Sequence, residues 1–548
     1  MNKTDLETLN LAKSNFSNYR DKEFRYMQDD AILFAYKSEK KIIVLNAATG
    51  SGKSLCALTM GAMEGRAIIL THTKMLQEQY TSDFPEASSL FGRSNYNCLN
   101  NPEVSCGECS AIGGNCSHKK SDCIYESRKR QVLAANYKIL NFSYLLAEAN
   151  FVGRFSNAPL IVIDESDSLE STLINFVTLQ FSTYALRRLG MLDMADSLKM
   201  TSKDKSGLLE SWKEFGQQAK FRVTSIIKKL SADIESWGED INAQQLDVIK
   251  ERSRVVRLKE KIDLFLDNVD QDWILDNQQG KLIFRPLWLT PELSEEYLWR
   301  HGKKFVLMSA TFPPKMVLAK CLGLDTADMD YYEIPSQFPV ENRPVYCYPV
   351  ANMTAKTTDM ELPKLVEAVK QIISQYPSQR GVIHAVSYAL ANKIIEGVDS
   401  VRLITHGAKD RQEVIDQFTS SDEPLVLVSP SVERGLSLED EKCRFIIIAK
   451  CPYLSLGDKV TAARLYSSKL GQIWYGSNAA LTVVQMAGRA VRSNIDQADT
   501  YILDLKVKEL ILKNPSWFPE WWRNSLEFEI PTWLELENSD LQNDDCPF

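Results

Sequence analysis

Three groups of residues carry types and spacings that could do chemistry. The run Ala47-Ala48-Thr49-Gly50-Ser51-Gly52-Lys53-Ser54 has the spacing of a phosphate-binding loop. In such a loop the glycines let backbone N–H groups turn inward around phosphate oxygens, the lysine reaches the β and γ phosphates, and the hydroxyl ligates Mg²⁺. Thr49, Gly50, Ser51 and Gly52 are the candidate cradle for ATP, with Lys53 and Ser54 as the reactive pair. The second group is Asp164-Glu165, two acids closing the apolar run Leu160-Ile161-Val162-Ile163. The aspartate would hold Mg²⁺ through water, and the glutamate would orient and deprotonate the attacking water. The third group is Cys98, Cys106, Cys109, Cys116 and Cys123, five of the eleven cysteines, confined to one short stretch.

These groups need elements to position them. Short β-branched runs followed by turn residues read as buried parallel strands. One set is Ile42 to Leu45, Ala67 to Leu70, Leu160 to Ile163 and Phe305 to Met308. A second is Gly381 to Ala385, Arg402 to Ile404, Leu425 to Val428, Phe445 to Ile448 and Tyr501 to Leu503. Two sheets predict two α/β domains, and both the loop and the acids fall at C-terminal strand ends, where such sheets bind ligands. The first set is interrupted twice. Residues 93–130 hold the cysteines with little periodicity. Residues 173–285 show helical spacing, as in Ile226, Ile227, Leu230 and Ile234, then Val255, Leu258, Ile262, Phe265 and Val269, and read as a helical insertion.

Composition bounds the rest. The 548 residues are 44% hydrophobic and 25% charged, and no stretch is long and apolar enough to cross a membrane. With no secretory signal at the start, a soluble cytoplasmic protein is expected, and its cysteines point to a metal rather than disulfides. The net charge of −8 excludes any argument for nucleic-acid binding from bulk charge, so local patches must serve. Lys119, Lys120, Arg128, Lys129 and Arg130 form one such patch, with Tyr96 and Tyr125 beside the cysteines as candidate stacking faces. A solvated surface explains the same charges.

What turns an ATPase into a motor is the further series Thr71-His72-Thr73, Ser309-Ala310-Thr311 and Gln485-Met486-Ala487-Gly488-Arg489-Ala490-Val491-Arg492. Arg489 and Arg492, three apart on a predicted helix, share a face suited to reaching the γ-phosphate as arginine fingers, with Gln485 and Gly488 beside the nucleotide. In this order these motifs resemble the XPD/DinG branch of superfamily 2 helicases over most of the chain. Phe24-Arg25-Tyr26-Met27-Gln28 resembles the family's adenine-side motif, with Arg25 and Gln28 at the matching positions. Gly92 to Cys98, Cys123-Ile124-Tyr125, Ser336 to Pro339 with Asn342-Arg343, Ser387-Tyr388 and Val432 to Ser437 match further segments.

The resemblance implies two RecA-like motor domains, with an iron-sulphur domain and a helical arch inserted into the first. The expected boundaries are 1–92, 131–172 and 286–330 for motor domain 1, 93–130 for the cluster, 173–285 for the arch and 331–548 for motor domain 2. It also implies a monomer moving 5′ to 3′ on single-stranded DNA and opening forked duplex. Four thiolates suit a 4Fe-4S cluster or zinc, the latter with His118 as a further donor. One C-x-x-C pair is present, where zinc ribbons use two, and the resemblance favours iron-sulphur with Cys98, Cys109, Cys116 and Cys123 as ligands and Cys106 as the spare. One departure is Asp167, which replaces the family's usual histidine in Asp164-Glu165-Ser166-Asp167 and bears on the coupling of hydrolysis to movement. Two alternatives to unwinding remain: a translocase that displaces proteins, and a binding module with a degenerate ATPase.

Overall fold

The computed structural model describes residues 3–99, 102–109, 122–200, 205–237, 243–278, 280–430, 438, 440–491, 493, 495–529 and 531–534. Two compact units result. The first comprises Met1–Leu45, Lys53–Met308 and Leu318–Tyr332, and the second Asn46–Gly52, Ser309–Val317 and Glu333–Phe548.

The strands up to residue 334 are β1 (Ile42–Ala47), β2 (Ala67–Thr71), β3 (Ala87–Leu90), β4 (Tyr137–Asn141), β5 (Ala158–Asp164), β6 (Leu179–Ser182), β7 (Trp273–Gln278), β8 (Lys281–Pro286), β9 (Gly302–Ser309) and β10 (Met329–Ile334). Seven of them form one sheet in the order β10-β1-β9-β5-β2-β4-β3. The pairs β2–β4, β2–β5, β3–β4 and β5–β9 run parallel. Every residue of β1 and β2 is buried, because helices cover both faces, which is why these strands read as unbroken apolar runs. The core beneath the Lys53–Met63 and Lys74–Asp83 helices includes Leu58, Tyr80, Phe84, Val162 and Met308.

The insertion expected to be helical is mixed. Long helices Lys205–Glu235 and Ala243–Asn268 are present, but the segment also contributes an antiparallel sheet in the order β6-β8-β7. Leu179 and Phe181 point inward while Gln180 and Ser182 face out, a period of two over only four residues. Rings weld the sheet to the helices: Phe284 lies 4.9 Å from Phe265 and 5.8 Å from Phe215, all three fully buried. Gly216 permits the helices to close, since a Cβ there would meet Leu266 at 2.8 Å.

The second unit is built on β11 (Val345–Ala351), β12 (Gly381–His384), β13 (Leu403–Thr405), β14 (Val426–Ser429), β15 (Phe445–Ile448), β16 (Asp499–Asp504) and β17 (Leu526–Glu527), in the order β13-β14-β12-β15-β16-β11-β17. Its pairings are parallel throughout. Two parallel-sheet RecA-like domains are therefore present.

Candidate functional site

In the phosphate-loop segment Gly50 and Gly52 adopt φ of +80° and +77°, a left-handed backbone that side chains resist. The helix Lys53–Met63 starts directly after, so Lys53 and Ser54 occupy its first turn, where backbone N–H groups and the dipole favour an anion. Thr49 is half-buried and Ser51 buried.

Asp164 is the last residue of β5 and only 3% exposed. Burial raises its carboxyl pKa, opposed by the nearby Lys53 charge and by hydrogen bonds, while Asp167 pushes it further up. Its Oδ1 accepts the Glu165 N–H at 3.0 Å, and its Oδ2 accepts the Tyr80 hydroxyl at 2.8 Å. Glu165 turns to φ 53°, leaving the strand, and its side chain is exposed. Ser166 Oγ donates to the Met308 carbonyl at 3.1 Å, tying the acidic box to the end of β9. Sequence reasoning missed Tyr80. Its spacing from Leu76 and Phe84 reads as ordinary helix core, and nothing local announces where its hydroxyl goes.

A hard divalent cation fits this donor set. The oxygens of Ser54 and a buried carboxylate are what Mg²⁺ selects, and a cation there would offset the burial that now pushes Asp164 towards its neutral form.

On the expected adenine side, Gln28 is buried and its Oε1 accepts the Arg25 backbone N–H at 2.7 Å, while the Gln28 N–H returns to the Arg25 carbonyl at 3.1 Å. Met27 makes the turn possible at φ 57°. The Arg25 side chain is exposed.

Within the second unit Gln485 Nε2 donates to Thr311 Oγ1 at 2.9 Å, joining two motifs that lie far apart in sequence. The arginine geometry differs from expectation. The helix Lys469–Ala487 ends before Gly488, whose N–H closes on Val484, so Arg489 sits in the following turn and the shared-helix-face argument for Arg489 and Arg492 does not apply. Arg489 lies close to His384, the last residue of β12, which is 3% exposed and has no hydrogen-bond partner on either ring nitrogen among the described residues. Burial, assisted by the Arg489 charge, depresses its pKa to about 3. Arg492 and the Val432 to Ser437 motif lie outside the described residues.

Around the cysteines, an antiparallel bridge between Asn97 and Ser105 folds the chain back on itself. The Cys106 N–H then donates to the Tyr96 carbonyl at 2.7 Å, and Cys106 opens a short helix to Cys109. Cys106, set aside as the spare, is the thiol brought against Cys123; burial, Cys123 and Glu126 push its pKa up to about 12 against the pull of Arg93. Cys98 is half-buried nearby in the chain. Of Cys109 only the backbone is described, and Cys116 and His118 lie outside the described residues, as do Lys119 and Lys120. Among the described residues no three metal-ligating side chains converge. Thiolates are the donors that soft metals select.

The expected DNA-binding patch is partly a structural cluster. Lys129 is 6% exposed and donates to Glu148 at 2.5 Å; Arg93 reaches the same carboxylate at 3.4 Å. Tyr125 is 1% exposed and donates to Glu148 at 3.1 Å, so it cannot stack on a base. Arg128 Nε is held by the Ser89 carbonyl at 3.0 Å, and Arg130 is exposed.

A phosphate loop whose lysine bears on a buried acid, together with a second parallel-sheet domain carrying glutamine and arginine motifs, defines a two-domain nucleotide-driven motor. Comparisons narrow the class. Residues 25–183 match the DEAD/DEAH box helicase family and residues 365–525 the helicase C-terminal domain. The chain is 20% identical over 565 residues to the ATP-dependent DNA helicase YoaA of Escherichia coli, covering 84% of this chain and 88% of that protein. It is also 20% identical to the ATP-dependent DNA helicase CHL1 of Saccharomyces cerevisiae, covering 70% of this chain and 54% of that longer one. Among solved structures it resembles S. tokodaii Xpd4, with a TM-score of 0.56 and 17% identity over 92% of this chain and all of the other. An XPD helicase structure gives a TM-score of 0.59 at 15% identity, covering 89% of this chain and 96% of that one. The chain therefore carries a DEAD/DEAH box helicase domain followed by a helicase C-terminal domain, and its fold is like that of the XPD structures. Among the described residues no helix is long and apolar enough to cross a membrane.

Proposed function

We propose that this chain hydrolyses ATP to move 5′ to 3′ along single-stranded DNA and to unwind forked duplex. The observation that carries the ATPase half is the convergence, at the C-terminal ends of β1 and β5, of Lys53 on a helix N-terminus and the buried Asp164 whose charge it favours. Lys53 would hold the β and γ phosphates, and Ser54 and Asp164 the Mg²⁺, which screens phosphate charge during transfer. Glu165, exposed beyond the strand end, would orient the attacking water. Arg25 and Gln28 would face the adenine, and Arg489 and Arg492 would supply positive charge to the γ-phosphate from motor domain 2.

DNA as the track rests on the two DNA helicases to which the chain is similar. The proposed domain plan keeps a cluster domain at 93–130 and an arch at 173–285. Its thiols would hold a 4Fe-4S cluster through Cys98 and Cys123 with two of the remaining three. The interaction of Cys106 with Cys123 supports Cys106 as a candidate for one of those two places, beside Cys109 and Cys116. When bound, such a cluster would brace the segment; the protein's own brace is the Glu148 cluster with Lys129 and Arg93.

The Lys53→Ala protein should lose DNA-stimulated ATPase activity and keep DNA binding; hydrolysis at the parent rate would refute the loop assignment. Strand displacement from a 5′ overhang but not a 3′ overhang is the expected polarity. Hydrolysis with no displacement from either end would favour the protein-displacing translocase.

A further inference from the structure

Tyr80 is not part of any motif described above, yet its hydroxyl lies between the two residues assigned to Mg²⁺. It projects from the helix Lys74–Asp83 through the apolar core, 1% exposed, with its ring 6.3 Å from Phe84. The phenol donates to Asp164 Oδ2 at 2.8 Å and hydrogen-bonds with Ser54. A phenylalanine would fill the same core, so packing does not account for the hydroxyl. A buried hydroxyl needs partners, and both of these come from the cation site.

We infer that Tyr80 is a positioning residue for the divalent cation, acting through Ser54 and Asp164. The chemistry follows from lone-pair geometry. A serine ligates a cation through an oxygen lone pair, so its hydrogen must go elsewhere, and the Tyr80 oxygen accepts it. The tyrosine's own hydrogen then goes to Asp164 Oδ2, while Oδ1 takes the Glu165 N–H, so two donors from two elements fix the plane of the carboxylate. Each carboxylate oxygen keeps lone-pair capacity for a hydrated cation. Tyr80 thus sets the orientation of both groups before the ion arrives, as hydrogen-bond partners behind metal ligands do elsewhere.

The inference rests on the assignment of the nucleotide site and is tested so that the two can fail separately. Binding of a fluorescent ADP analogue is measured with and without Mg²⁺, together with the Mg²⁺ concentration giving half-maximal ATPase activity. For Tyr80→Phe, nucleotide affinity without Mg²⁺ should match the parent and the melting temperature should fall by a few degrees for the donor lost to Asp164, while the Mg²⁺ requirement rises about 10- to 100-fold, the usual cost of removing such a partner. In an Asp164→Asn background the same substitution should add little. An unchanged Mg²⁺ requirement would reduce Tyr80 to core packing, and so would a loss of Mg²⁺-free affinity equal to the loss with Mg²⁺. Parent protein that binds nucleotide with no Mg²⁺ dependence would instead sink the nucleotide-site assignment.

Discussion

Replacing Glu148 with glutamine keeps its volume and removes its charge. The residue lies 3% exposed and collects Lys129 at 2.5 Å, Tyr125 at 3.1 Å and Arg93 at 3.4 Å. Arg93 is partly exposed and can turn to water, but Lys129 is 6% exposed and would face a neutral amide. Removing one partner of a buried ion pair costs about 3–5 kcal/mol. The amide oxygen still accepts a hydrogen bond, which returns about 1 kcal/mol and leaves roughly 2–4. At about 2–4 °C per kcal/mol for a large domain, the first unit should melt roughly 4–16 °C lower. Thermal unfolding followed by circular dichroism measures this, with Glu295→Gln as the control: its partner Lys41 is 38% exposed, so that loss should stay under about 1 kcal/mol. Joint replacement by Lys129→Met and Glu148→Leu should recover most of the single loss, since an apolar pair leaves no stranded charge. A Glu148→Gln protein that melts with the control, or a double variant no better than the single, would refute the claim that this charge is paired and buried.

Three further outcomes are expected. His384 is neutral when folded, with a pKa near 3 against 6.5 for the free side chain, so the unfolded chain takes up a proton first and stability falls as pH drops below 6.5 towards 3. At about pH 5 this costs on the order of 2 kcal/mol, and His384→Phe should flatten the denaturation-midpoint-versus-pH curve by that amount; equal acid sensitivity would contradict it. Arg489→Ala should lower kcat for DNA-stimulated ATP hydrolysis by about 10³-fold or more with little change in nucleotide affinity, as loss of an arginine finger does, and a parent-like kcat would remove that role. Cys106→Ser should lower the iron or zinc content of purified protein as far as Cys123→Ser does, and full metal content would return Cys106 to the spare position.

The sequence predicted what periodicity and backbone chemistry encode. The nine strands anticipated are all present, because buried parallel strands leave unbroken β-branched runs. Several of those not anticipated lack such runs: β3 is Ala-Ser-Ser-Leu, β10 exposes Tyr331 and Glu333, and β17 is two residues long. The phosphate loop was legible because glycines at left-handed positions and a lysine at a helix start are local requirements. The helix carrying Gln485 was anticipated to reach Arg492 but stops at Ala487.

Long-range polar pairing is what one sequence hides, and it decides how the charges are used. Lys129 sits in a run of cations beside cysteines, and by composition it belongs to a basic patch. Its Nζ instead lies on Glu148, nineteen residues away and itself buried. The same holds for Tyr80, whose partner Asp164 is 84 residues distant. Both anions are desolvated, and a desolvated anion that lacks donors is far more costly than one that has them. A fold that buries Asp164 for chemistry must therefore recruit a donor, and a fold that buries Glu148 beneath the cysteine segment must recruit a cation from that segment. The basic residues left to face DNA are correspondingly fewer than the sequence advertises: of the described members of the patch, Arg130 is the exposed one. An Arg130→Ala protein should therefore bind single strands more weakly at low salt, with the salt slope reduced by about one, whereas Lys129→Ala should act through stability. If Lys129→Ala weakened DNA binding at unchanged melting temperature, the division between bracing and gripping charges would be wrong.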